Sequence, residues 1–240
     1  MTYGGTPALR TTSARPPVHD QIGESMGFFQ FVQDRWVVLL GDSWQHFSLV
    51  AQSLVLSTVI GLALAVLVYR SPIGSGVANA FSAIGLTLPS YALLGVMVGL
   101  ISLGVLPSVI GLVFYGSLPI MRNAIVGLHG VDKNLIESAR GMGMGPFTTL
   151  WRLEIPLAWP IVMTGIRISG QMLMGIAAIA AFVLGPGLGG LIFSGISRQG
   201  GANATNSVVA GTVGVLILAV VLDLLLSVVS RLTTSRGIRV

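Results

Sequence analysis

Few residues in this chain could do chemistry, and the neighbours of most of them exclude it. His19, His46 and His129 lie far apart in the sequence and form neither a metal-ligand cluster nor a nucleophile–base pair. There is no cysteine, which removes disulfides, thiolate metal sites and a cysteine nucleophile. The only lysine, Lys133, is followed by Asn134, whereas a Walker A loop needs Ser or Thr there after a glycine-rich turn. The GPGLGG run from Gly185 to Gly190 also lacks the following lysine and reads as a helix stop. No cofactor or metal is expected in this chain, and any ATP-driven work must fall to a partner. Asn203-Ala-Thr matches a glycosylation pattern in form only.

One acid stands inside an apolar run: Asp223, in VVLDLLLSVV. Such an acid is a functional candidate by default. Arg122, Arg167 or Arg231 could pair with it. A substrate or proton role and snorkelling to the interface remain the other readings. Arg122 and Arg167 themselves read as interface anchors or as substrate ligands.

The densest polar chemistry lies in GVDKNLIESARGMGMGPFTTLWRLEIPLAWP, residues 130–160. Asp132 is a good N-cap for a short helix. Lys133 and Glu137 are spaced i, i+4, and Glu137 and Arg140 i, i+3, so intraloop ion pairs can form. Leu135, Ile136 and Ala139 give an apolar stripe. Gly141, Gly143 and Gly145 allow a tight reversal, and Pro146 suits the first turn of a second helix. In that helix Phe147, Leu150, Trp151 and Glu154 are expected on one broad face, and Pro156 begins the next apolar run. The element is too short for a domain and too well capped for a loose loop. It suits docking into a partner's groove.

The elements that position this loop follow from composition. The chain has 240 residues, 53% hydrophobic and 9% charged. Its mean hydropathy is +0.87. A soluble domain carries about 25% charge, so this is an integral membrane protein. The 32 glycines fit closely packed membrane helices. The net charge of +5 has no basic cluster with interleaved aromatics, and nucleic-acid binding is not expected.

Residues 1–23 read as a disordered arm and 24–47 as an amphipathic helix, lying on the membrane or packed on the bundle edge. Five spans are expected, at about 48–69, 75–103, 106–127, 157–184 and 207–230. The polar loop occupies 128–156, and 232–240 is a basic tail. The second span contains Pro89 and must kink or break, with Thr87 placed to satisfy freed carbonyls. With the tail in the cytoplasm, nine of the 13 basic residues fall inside and the N-terminus falls outside, as the positive-inside rule asks. No repeat that would make two inverted halves is found, a stand-alone carrier would have only Asp223 for ion coupling, and an intramembrane enzyme would lack a nucleophile–base pair or metal ligands within its spans.

The 128–156 loop resembles the EAA loop of ATP-binding-cassette (ABC) importer permeases. That pattern runs Glu-Ala-Ala, three residues, Gly, nine residues, Ile-x-Leu-Pro. Glu137, Ser138, Ala139, Gly143, Leu153, Ile155 and Pro156 stand at those places, with one Ala replaced by Ser and the two aliphatic types exchanged. TLPSYALLG, AAFVLGPGLGGLI and VLDLLLSVVS extend the resemblance over about residues 48–231, toward permeases that import glycine betaine, choline, carnitine or proline. Lys133 stands where that family usually has Pro.

The resemblance implies an all-α membrane protein of the bacterial cell membrane, working as a transporter subunit and not as an enzyme. Its implied partners are a second permease, two ATPase subunits that bind Mg-ATP, and an extracytoplasmic binding protein. Contact with the ATPase is expected over Asp132 to Gly145. Glu137 is expected to pair with a basic group on the ATPase or within the loop. For a quaternary ammonium substrate, Pro89, Ser90, Tyr91, Phe114 and Tyr115 are candidates to line the pore, with packing as the alternative role.

Overall fold

A computed structural model describes residues 26–234. The expected arm 1–23 lies outside them, as does the tail beyond Thr234 with Arg236 and Arg239. The described chain is helical throughout, without a strand. It forms α1 (Phe28–Val68), α2 (Pro72–Thr87), α3 (Ser90–Leu100), α4 (Val105–His129), α5 (Lys133–Gly141), α6 (Pro146–Thr149), α7 (Ile155–Ile179), α8 (Gly189–Ser197) and α9 (Ala204–Thr233). A π-helical turn, Leu150–Glu154, joins α6 to α7, and a 3₁₀ turn, Ala180–Val183, extends α7. Four helical stretches are long and apolar enough to cross a membrane. The α2–α3 pair, bent by 93°, makes a fifth as one broken span.

The boundary expected near residue 47 does not exist. α1 runs unbroken for 41 residues, about 60 Å at 1.5 Å per residue, roughly twice a hydrocarbon core. Asp34 and Arg35 are exposed, and the Arg35 guanidinium lies 5.1 Å from the centre of the Phe31 ring. A polar stretch without proline changes what a helix faces but does not end it. The start of α1 is tied to the start of α9. Asn206 Nδ2 donates to the Met26 carbonyl at 2.7 Å, Met26 N–H donates to Asn203 Oδ1 at 3.1 Å, and Phe31 is fully buried.

α4 is the centre of the bundle and packs mainly on α1 and α7. The core gathers Leu54 from α1, Leu112 and Ile120 from α4, Val162 and Leu173 from α7, and Leu222 from α9. Close approach depends on absent side chains. A Cβ at Gly116 would collide with Ser57, and one at Gly165 would lie 2.8 Å from Asn123 Cβ. Hydrogen bonds fasten the same contacts, with Ser169 Oγ donating to the Gly116 carbonyl at 2.8 Å.

The break between α2 and α3 falls at Leu88. Pro89 holds its predecessor in the extended region, and Leu88 has φ −64° and ψ 131°. Tyr115 Oη donates to the Leu88 carbonyl at 2.8 Å, while Thr87 Oγ1 donates to Ile84 at 2.7 Å. At the far end of α7, Leu184 adopts a left-handed conformation and the chain turns into α8. Gly187, at φ +112°, backs onto His46 so closely that a Cβ would lie 2.7 Å from the histidine Cβ.

Candidate functional site

The 128–156 loop is shaped by local rules. Asp132 caps α5, its Oδ1 accepting the Asn134 N–H at 2.9 Å. At the other end Gly143 sits at φ +86°. Its N–H donates to the Arg140 carbonyl at 2.9 Å, and the Met144 N–H donates to Ala139 at 3.0 Å. These are the two bonds of a Schellman motif. Of the three glycines expected to make the reversal, only Gly143 uses the left-handed region. Gly141 ends α5 in helical geometry, and Gly145 is an extended residue before Pro146.

α5 presents two faces. Lys133, Ile136 and Arg140, at i, i+3 and i+7, line a cavity of about 580 Å³ together with Tyr69, Arg70, His129 and Glu154. Ala139 is buried beside them. Leu135, Glu137 and Ser138 are exposed, as are Met142, Phe147 and Trp151 in the following turn. The expected intraloop ion pairs are not made, and among the described residues Glu137 has no basic partner within 4.0 Å. Met142 and Phe147, in the same loop, are each 74% exposed.

The face expected for the second loop helix splits. Phe147 and Trp151 point outward with ring centres 6.0 Å apart, whereas Leu150 and Glu154 are buried. Pro156 has no N–H to give the ladder, and the widened turn at Leu150–Glu154 absorbs the mismatch, Ile155 N–H reaching back to Leu150. Leu153 and Ile155 are half-buried at this turn, with Pro156 exposed.

Glu154, expected to share one face with Phe147 and Trp151, is instead the tie to the membrane bundle. Its carboxylate accepts from Arg70 Nη2 at 3.4 Å, with its side chain 4% exposed. Arg70 also donates through Nε to Tyr69 Oη at 2.7 Å and through Nη2 to the Pro146 carbonyl at 3.4 Å. His129 Nε2 lies 2.6 Å from the Tyr69 carbonyl. The end of α1, the end of α4 and the start of α7 therefore meet under α5.

Within the spans, Arg167 forks onto Asp223. Nε reaches Oδ1 at 3.0 Å, Nη2 reaches both oxygens at 2.9 Å, and Gln171 Nε2 adds a bond to Oδ1 at 3.0 Å. Arg122 is exposed and, among the described residues, makes no ion pair.

The pore candidates separate too. Tyr115 is 3% exposed and serves the α2–α3 break instead of a surface. Phe114 is half-buried, edge-on to Phe81 and Tyr115. Pro89 and Tyr91 are exposed at the bend, with Ser90 half-buried. Tyr91 packs against Phe182 with ring centres 4.1 Å apart. Phe182 was not singled out in the sequence, since nothing local marks a residue 91 positions away.

The described residues thus form a bundle of membrane-spanning helices with a capped polar loop at one end. Residues 57–235 match the family described as binding-protein-dependent transport system inner membrane component. The chain belongs to this family. It is an ABC importer permease, a multi-pass transporter subunit and not an enzyme.

Among its relatives is the choline transport system permease protein OpuBB of Bacillus subtilis (strain 168). It is 37% identical over 210 residues, covering 88% of this chain and 95% of the relative. The glycine betaine/carnitine/choline transport system permease protein OpuCB of the same strain is 37% identical over 209 residues, covering 87% and 94%. The osmoprotectant import permease protein OsmW of Salmonella typhimurium (strain LT2) is 37% identical over 220 residues, covering 89% and 100%. Among solved structures, an inward-facing MetNI methionine ABC transporter has a chain of the same fold. Its TM-score is 0.69 at 24% identity, covering 84% of this permease and 99% of that chain.

Proposed function

We propose that this permease carries an osmoprotectant of the glycine betaine, choline, carnitine or proline class into a bacterial cell by alternating access across the plasma membrane. Two permeases, identical or similar, form the pathway. An extracytoplasmic binding protein delivers substrate, and two ATPase subunits that bind Mg-ATP drive the cycle. The loop 128–156, Arg70 and the tail face the cytoplasm, and the N-terminus faces outside.

The observation that carries the coupling role is the outward face of α5. A capped helix presents Leu135, Glu137 and Ser138, and Met142 and Phe147 of the same loop are exposed as well. The unpaired Glu137 is free to accept from a basic group on an ATPase. Behind this face, the Arg70–Glu154 tie passes displacement of the loop to α1 and α7. The substrate class is supported by the names of three relatives that each match more than four-fifths of the chain. It is also supported by the exposed Tyr91–Phe182 pair, whose π faces suit a quaternary ammonium.

The test is uptake of labelled glycine betaine, choline, proline and methionine by cells with and without this chain, at low and high osmolarity. Loss of betaine or choline uptake on deletion, dependent on the ATPase subunit, is expected. Uptake that survives deletion of the ATPase would overturn the mechanism, and loss confined to methionine would overturn the substrate class.

A further inference from the structure

Two cavities adjoin at the loop end of the bundle. The polar one, about 580 Å³, lies under α5. It carries Arg70, Lys133 and Arg140 against a single carboxylate, Glu154, which is already engaged by Arg70. Among the described residues neither Lys133 nor Arg140 has an acidic partner within 4.0 Å. The cavity is thus positive and unneutralised.

The second, about 380 Å³, is a groove walled only by apolar side chains, among them Leu62 and Ala63 of α1, Ala124 of α4 and Val162 of α7. Leu128 lines both cavities, and Glu154 of one is followed directly by Ile155 of the other. A cationic chamber at the ends of three spans therefore opens beside an apolar trough running into the bilayer. Trp151 and Trp159 line the trough, as aromatics do near headgroup level.

We infer that the two cavities form one site for an anionic phospholipid, its phosphate-bearing headgroup under α5 and an acyl chain along the α1–α4–α7 groove. The inference rests on reading the loop as lying at a membrane face. A free phosphate would explain the cations but not the trough, and a lipid of neutral headgroup would explain the trough but not the cations. Such a lipid neutralises the inner face of α5, leaving the outer face with Glu137 for a partner. It also packs between the coupling loop and the spans that the loop must move.

The experiment is native mass spectrometry of the purified permease, alone and with its ATPase, titrated with phosphatidylglycerol, phosphatidylcholine or inorganic phosphate. Wild type should retain phosphatidylglycerol in preference to phosphatidylcholine. The double variant Lys133→Gln/Arg140→Gln should weaken phosphatidylglycerol about 30-fold, since each basic side chain near an anionic headgroup is worth about a factor of five. Its phosphatidylcholine binding should not change. Ala63→Phe fills the trough from an exposed position and should weaken both lipids. Equal phosphatidylglycerol retention by wild type and the double variant would overturn the site. So would displacement by inorganic phosphate with no effect of Ala63→Phe, which would mark a simple anion pocket, or loss of the lipid when the ATPase docks. The lipid readout on the permease alone does not depend on transport, so failure of the importer reading would show separately, in the uptake assay.

Discussion

Two neighbouring glycines in the 128–156 loop should respond to alanine in opposite directions. Gly143 holds φ +86° and Gly141 is helical, and neither has a heavy atom within 4 Å of where a Cβ would stand. Any difference between the two replacements is therefore conformational and not steric. An L-residue in the left-handed region costs about 1–2 kcal/mol. Alanine in place of a helical glycine gains about 1 kcal/mol. At about 1.4 kcal/mol per decade, Gly143→Ala should shift the capped–uncapped equilibrium of the loop roughly 5–30-fold toward the uncapped form.

α5 has only 9 residues and is marginal without its caps. The loss should therefore be local and leave the spans intact. Hydrogen exchange of the α5 amides, with substrate-stimulated ATPase activity of the reconstituted complex, reads both consequences. Gly143→Ala should speed exchange and depress stimulation. Gly141→Ala should slow exchange and keep stimulation. Equal behaviour of the two variants would refute the assignment of the reversal to Gly143.

Other outcomes follow from the same geometry. Arg70→Ala leaves the buried Glu154 carboxylate without its cation and should destabilise the loop–bundle junction by about 1–3 kcal/mol, read as a lower melting temperature. Adding Glu154→Gln should recover most of that loss, and no recovery would show that the pair is not what holds the junction. Asp223→Asn should weaken the α7–α9 contact, and the charge exchange Arg167→Asp/Asp223→Arg should restore part of it. If uptake collapses in the exchanged protein while stability returns, the pair has a role beyond packing. Tyr91→Ala and Phe182→Ala should each raise the KM for a quaternary ammonium substrate several-fold and leave proline uptake less affected, since a cation over an aromatic face contributes about 0.5–2 kcal/mol.

Much of this molecule was legible in its sequence because its strongest signals are local. Four spans and the broken fifth follow from apolar runs, and Pro89 alone announces the break. The loop was legible for the same reason: Asp132, Gly143 and Pro146 act on their own neighbours. What distance hides was not. Glu154 finds Arg70 across 84 positions, and Tyr91 of α3 finds Phe182 in the 3₁₀ turn after α7, far along the chain. Arg167 was one of three possible partners for Asp223, and only packing chose among them. The expected boundary near residue 47 failed because polarity changes what surrounds α1 while nothing in its backbone requires an end. The short helix α8 was missed because GPGLGG reads as a stop, although its last two glycines start a helix.

The central claim is that the outward face of α5 is where the ATPase takes hold. The chain has no native cysteine, so a single introduced thiol reports one place. The most direct measurement is disulfide or short-linker cross-linking of the Glu137→Cys permease to its ATPase in the intact complex, with Ser90→Cys at the α2–α3 bend as control. The account predicts an ATPase adduct at position 137, with a yield that changes on adding ATP, and none at position 90. An intact, ATP-hydrolysing complex in which position 137 gives no adduct would contradict it.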